Sequence, residues 1–207
     1  NTFDYPFIHG KAIQAAGKYS FVSCSDEAVE NGIVTLEDYP IVDYILGLEK
    51  EDPIAKAYYK TFSSPMQRLI TSYCQSGGNL FVSGAYVGSD MSGTQGNREF
   101  TEKVLKYGYQ NSLTAKSSGQ INGLGRSITI PRLPNENSYA VTAPDCIVPV
   151  APAFPVFTYA RGNQSAGIAY KGADYRTFIL GFPFESIQSE TDRASIMAGI
   201  LGFFTQK

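Results

Sequence analysis

The chain has 207 residues, long enough for one full domain with a sizeable core or at most two small ones, and a single domain over residues 1–207 is expected. With 43% hydrophobic and 17% charged residues and a formal net charge of -2, it carries no basic field to draw in nucleic acid, which is excluded as a partner. No run approaches the roughly 20 consecutive apolar residues of a membrane span, and the N-terminal stretch NTFDYPFIHGK lacks the regions of a signal peptide.

The first residue is not Met, which suggests a processed chain or a domain cut from a larger protein. The one histidine, His9, lies in this N-terminal stretch, which reads as a loop, and any His-dependent triad or metal site would have to be built around that ring. Cysteines stand at 24, 74 and 146 without a C-x-x-C pair, so neither a disulfide framework nor a zinc site is indicated, although one pair could form. No cofactor motif and no metal ligand set is found.

In chain order, KYSFVSCS (18–25) and YPIVDYILG (39–47) are rich in β-branched and aromatic residues and predict two buried strands. Two helices are expected next. DPIAKAYYKTF opens on Asp52 and Pro53, and SPMQRLITSYC on Ser64 and Pro65, each a cap residue followed by a first-turn proline. In the second, Met66, Leu69, Ile70, Tyr73 and Cys74 recur at helical spacing before Gly77 and Gly78, which places Cys74 in the core.

NLFVSGAYVG (79–88) reads as a strand covered on both faces, followed by a loop and a helix marked by Phe100, Val104 and Tyr107. Beyond residue 110 short strands follow: SITIPRL, SYAVTA, VFTYA, SAGIAYKG and YRTFILGF, with a hairpin around KGAD. Prolines 144, 149, 152 and 155 exclude a central strand there, and GQINGLGRS (119–127) reads as a flexible loop, since it neither follows an apolar strand nor opens a helix as a phosphate site requires. The chain closes on a helix capped by Ser189, with Ile196, Met197, Ile200, Leu201 and Phe204 on its buried face.

Ligands of open α/β sheets bind beyond the carboxyl ends of the strands. Three such ends carry candidates: LGLEKED with Gly47, Glu49 and Lys50, SGAYVGSD with Tyr86, Ser89 and Asp90, and LGFPFES with Phe184 and Glu185. The element order, the G-x-x-x-G elbow from Gly84 to Gly88 and the late GFPFES resemble class I glutamine amidotransferase-like domains. The wider runs SGAYVGSDM and AGIAYKG…YRTFILGFPFESI resemble the versions of that domain in bacterial secreted proteins labelled xanthan lyases.

This resemblance implies a flavodoxin-like α/β three-layer sandwich, mostly parallel, with antiparallel additions in the C-terminal half. It implies a secreted, periplasmic or cell-surface setting, with carbohydrate or flanking domains of the same polypeptide as partners. In that family the elbow holds a nucleophilic cysteine, and the late strand ends in a histidine and a glutamate. Those places fall here on Tyr86, Pro183 and Glu185. A phenol and a proline cannot open the thioester route to ammonia release, so glutaminase activity is not expected.

The function implied is a non-catalytic or ligand-binding module, with Gly47, Glu49, Tyr86, Ser89, Asp90 and Phe184 forming the binding crest. The rival is a polysaccharide lyase or hydrolase using Tyr86 with Asp90 or Glu185, since a tyrosine beside a cation can act as base or acid. A serine hydrolase built on Ser83 or Ser89 would need a base within hydrogen-bond reach. Among the tyrosines, Tyr5, Tyr86, Tyr107, Tyr109 and Tyr175 are expected at the surface.

Overall fold

The computed structural model describes residues 4–55, 59–114, 116–136 and 138–206. The N-terminal stretch is a helix, not a loop: Asp4 Oδ1 accepts from Phe7 N at 3.2 Å, Pro6 sits in the first turn, and α1 runs Tyr5–Ala16. His9 and Ala12 fall on its buried side. A cap, a first-turn proline and an i, i+3 pair were all present in the sequence.

Residues 19–25 then run as an extended strap without ladder bonds, so the strand expected over 18–25 is absent. Phe21 is 44% and Val22 70% exposed. The strap enters the short helix α2 (Asp26–Glu30), and β1 (Ile41–Gly47) follows. The helix expected from Asp52 does not form over 52–55 or 59–62, and 56–58 lie outside the described residues. α3 spans Ser64–Gln75 with Ser63 as its cap, one residue earlier than the sequence suggested, and it buries Met66, Ile70, Tyr73 and Cys74.

β2 (Asn79–Gly84) leads through a tight turn to α4 (Gln95–Phe100), which continues as a π-helical turn over Thr101–Leu105. The expected helix therefore ends before Tyr107, which opens β3 (Tyr107–Ser112). β4 (Gln120–Gly123) and β5 (Arg126–Thr129) form a hairpin where a flexible loop was expected, with Leu124 at φ 49° and Gly125 at φ 71° in the turn. SYAVTA forms no strand. β6 (Asp145–Pro149), β7 (Phe154–Tyr159), β8 (Ser165–Lys171), β9 (Arg176–Leu180) and α5 (Glu190–Thr205) complete the chain. β8 and β9 form the expected hairpin, and Pro155 is accommodated in β7 where the register slips.

The main sheet has the order β1-β2-β9-β8-β7-β4-β5, and β3 pairs with β6 in a separate ribbon. Only β1, β2 and β9 are mutually parallel; the five other pairings among the described residues are antiparallel. This overturns the expected mostly parallel, flavodoxin-like three-layer sandwich. Connection length is the physical reason, because parallel neighbours need a crossover of a dozen or more residues, whereas residues 172–175 join β8 to β9 and Leu124 and Gly125 join β4 to β5. The molecule is a mixed sheet whose antiparallel half is the larger.

Alternation along β2 and β9 sorts the core. Phe81, Phe178 and Leu180 pack with α5 residues Ile196, Met197 and Ile200, while Leu80, Val82 and Ile179 pack with Met66, Ile70 and Tyr73 of α3. Each such side chain, fully withdrawn from water, contributes on the order of 2 kcal/mol. No helix among the described residues is long and apolar enough to cross a membrane.

Candidate functional site

The elbow after β2 is tight because glycine lets backbones approach. A Cβ on Gly84 would lie 2.7 Å from Leu46 Cβ, and one on Gly88 would lie 2.9 Å from the Tyr109 ring. Inside the turn sits Asp145 from β6, fully buried. Its Oδ2 accepts from Gly88 N at 2.8 Å and Ser89 N at 2.7 Å, and its Oδ1 accepts from Ser112 Oγ at 2.7 Å. Burial holds this carboxyl above its ordinary range, and those three donors offset the rise only in part.

The consequence is chemical. Two adjacent N–H groups at an elbow are the usual means of holding a developing oxyanion, and here a resident carboxylate occupies both.

Tyr86 is half-buried beside the elbow, with Lys50 Nζ 4.8 Å from the centre of its ring. Asp90 is used structurally. Its Oδ1 accepts from Glu51 N at 3.0 Å, and its Oδ2 accepts from both the backbone and the hydroxyl of Thr61 at 3.0 Å. Lys60 lies 3.6 Å from Oδ2 and donates to the Asp90 carbonyl at 2.9 Å. Ser83 and Phe184 are fully buried, and Ser89 contributes its backbone N–H to Asp145.

Gly47 is held at φ 53°, where a Cβ would meet the Tyr5 ring at 2.7 Å and Glu185 Oε1 at 3.2 Å. Glu49, half-buried, is pushed up to about 7 by desolvation and by the charges of Asp26, Asp90, Glu27 and Glu30. Of the tyrosines expected outside, Tyr107 is instead fully buried and donates to Val87 O at 2.7 Å.

The strongest cluster is one the sequence did not announce. Glu185 lies in a short 3-10 turn (Phe184–Ser186) beyond β9 and is 4% exposed. His9 reaches it from α1: Nε2 is 3.3 Å from Glu185 Oε2 and Nδ1 is 2.7 Å from Asp43 Oδ2 on β1. Tyr139 donates to Glu185 Oε1 at 2.7 Å, and the Tyr5 and Tyr139 rings lie 5.5 Å apart. Desolvation opposes the charged imidazole, but Asp43 and Glu185 together outweigh it and raise His9 to about 9. His9 is thus an imidazolium clamped between two carboxylates, joining the N-terminal helix to the sheet.

The three candidate loops do not pool their acids. Glu185 is engaged by His9 and Tyr139, Asp90 by Thr61, Glu51 and Lys60, and Tyr86 by Lys50. Among the described residues no group of three or more His, Cys, Asp or Glu side chains is placed to hold a metal ion. The three cysteines are unpaired, with Cys24 exposed and Cys74 and Cys146 buried.

No protein-family model matches the chain, and no curated protein matches it by sequence. Its fold is similar to parts of solved glycosidases. A β-galactosidase from the Antarctic haloarchaeon Halorubrum lacusprofundi matches 97% of this chain over 26% of its own length, with TM-score 0.55 and 16% identity. The exo-β-1,4-mannosidase Op5Man5 from Opitutaceae bacterium strain TAV5 matches 98% of the chain over 31% of its own length, with TM-score 0.62 and 10% identity. The N-terminal domain of mmIFT52 matches 92% of the chain over 86% of its length, with TM-score 0.56 and 13% identity.

The chain thus spans about a quarter to a third of the length of the glycosidases it resembles. These likenesses, together with the mixed sheet, replace the expected assignment to class I glutamine amidotransferase-like domains of proteins labelled xanthan lyases. A G-x-x-x-G turn and a short late motif record where backbones must pass closely, which is a requirement of packing that unrelated sites share.

Proposed function

We propose that this chain is a non-catalytic module of a larger carbohydrate-directed protein, offering the surface around Tyr86, Lys50 and Glu49 to a sugar ligand. The observation that carries the non-catalytic reading is the occupancy of the Gly88 and Ser89 N–H groups by Asp145, which leaves the elbow no free donors for a transition state. The separate engagement of Tyr86, Asp90 and Glu185 supports it. The carbohydrate reading is supported by the fold likeness to parts of a β-galactosidase and a mannosidase. A half-buried tyrosine ring with a lysine ammonium beside it combines the apolar surface and the polar donor that pyranose rings use.

The test titrates soluble β-galactan and β-mannan against the wild-type protein and Tyr86→Ala by calorimetry, with new reducing ends and unsaturated sugars assayed alongside. Binding by wild type to at least one polymer, weakened about tenfold or more in Tyr86→Ala and without bond cleavage, supports the proposal. Cleavage by wild type, or no binding to either polymer, overturns it.

A further inference from the structure

β1 is an edge strand: it pairs with β2 on one side, and among the described residues no segment bonds to its outer backbone. Such an edge is an open template for another strand. Its residues Ile41 to Ile45 are all only half-buried, although Ile41 packs toward the α1 and α5 side and Val42 and Tyr44 toward the α2 and α3 side. Facing this edge is a cavity of about 680 Å³, and its outer wall is the strap, residues 19–25.

The strap has the composition of a strand and the surroundings of a loop. Tyr19, Phe21, Val22 and Cys24 favour a pleated, half-buried surface, yet 19–25 make no ladder bonds, and Phe21 and Val22 are exposed. One face is already set. The Phe21 ring lies against Gly10 of α1, so close that a Cβ on Gly10 would meet it at 2.3 Å, and Tyr19 packs on the same side. Strand alternation would then send Val22 and Cys24 to the other face, with Val42 and Tyr44, where the cavity is lined by Val29, Met66 and Ile70.

Connectivity fits as well. From residue 25 the chain passes through α2 and returns as β1 after 15 intervening residues, 26–40, enough for a parallel crossover. A second copy fits less well, because pairing β1 with itself antiparallel about its central Tyr44 would leave the strap's exposed Phe21 and Val22 uncovered.

We infer that residues 19–24 close onto β1 as an eighth, parallel strand of the main sheet, so that the structure shows the open form of a strap whose closing fills the cavity. Closing supplies partners to the outer backbone groups of β1 and covers the strap's exposed apolar side chains.

Cys24 is a built-in reporter, since it is exposed here while Cys74 and Cys146 are buried. Its alkylation rate is measured in the wild-type protein and in Val22→Pro, which removes a donor and disfavours pairing, together with amide hydrogen exchange over 19–24 and 41–45. The expected result is slow alkylation in wild type, about tenfold or more faster in Val22→Pro, with wild-type amides of both segments protected and circular dichroism unchanged by the substitution. Equal, fast alkylation in both proteins with unprotected strap amides overturns the inference. So does protection of β1 amides alone that rises with protein concentration, which would assign the edge to a second copy.

Discussion

His9 stands between Asp43 and Glu185, 2.7 Å from one carboxylate and 3.3 Å from the other, at 1% exposure. One ring therefore ties α1 to β1 and to the turn beyond β9. Replacing it by Gln leaves the buried Glu185 and the half-buried Asp43 without their cation, and removing one partner of a buried pair typically costs about 3–5 kcal/mol. Urea denaturation of His9→Gln is expected to show a loss of that order, and an unchanged midpoint would show that the clamp contributes nothing.

The same clamp sets a pH dependence. His9 has a folded value of about 9 against 6.5 as the ordinary value, so its contribution is complete below 6.5 and disappears as pH rises through about 9. A shift of that size corresponds to about 3 kcal/mol. Stability measured between pH 6 and 10 should fall across this window in wild type and stay flatter in His9→Gln.

Glu49 acts in the same direction at lower pH. Its value is raised to about 7 from 4.5, so the folded state holds its proton more tightly than the unfolded chain, and stability declines as pH rises from about 4.5 through 7. Glu49→Gln should remove this decline without touching the alkaline one, and carbon-detected NMR titration of the carboxyl should give a midpoint near 7 in wild type.

Two glycines with positive φ separate backbone strain from crowding. Gly32, at φ 70°, has nothing within 4 Å of the place a Cβ would take, whereas Gly47, at φ 53°, has the Tyr5 ring at 2.7 Å. Gly32→Ala should cost about 1 kcal/mol, the strain of the left-handed region alone, and Gly47→Ala clearly more. Equal losses in thermal denaturation would mean that Tyr5 yields freely.

At the elbow, Asp145→Ala leaves the half-buried N–H of Ser89 without its acceptor and strands the N–H of Gly88 in the interior, the latter at about 1–3 kcal/mol. Asp145→Asn keeps an acceptor and should lose less. If both variants denature at the wild-type midpoint, the carboxylate is not what holds the turn.

Local sequence chemistry settled the elements whose reasons are local. Ser189 caps α5 as expected and Ser63, one residue before the expected Ser64, caps α3, apolar spacing marks their buried faces, and continuous apolar runs mark β2 and β9. N-terminal helix signals are present too, Asp4 as the cap of α1 and Pro6 in its first turn, in a stretch whose composition is that of a loop. What the tertiary structure decided was partnership. That His9 meets Glu185 across 176 positions, that Asp145 enters an elbow 56 and 57 positions earlier, and that most of the sheet runs antiparallel depend on which segments lie side by side. The strap shows the same division, since residues 18–25 have strand propensity, but a strand exists only where a neighbouring backbone supplies the other half of each hydrogen bond.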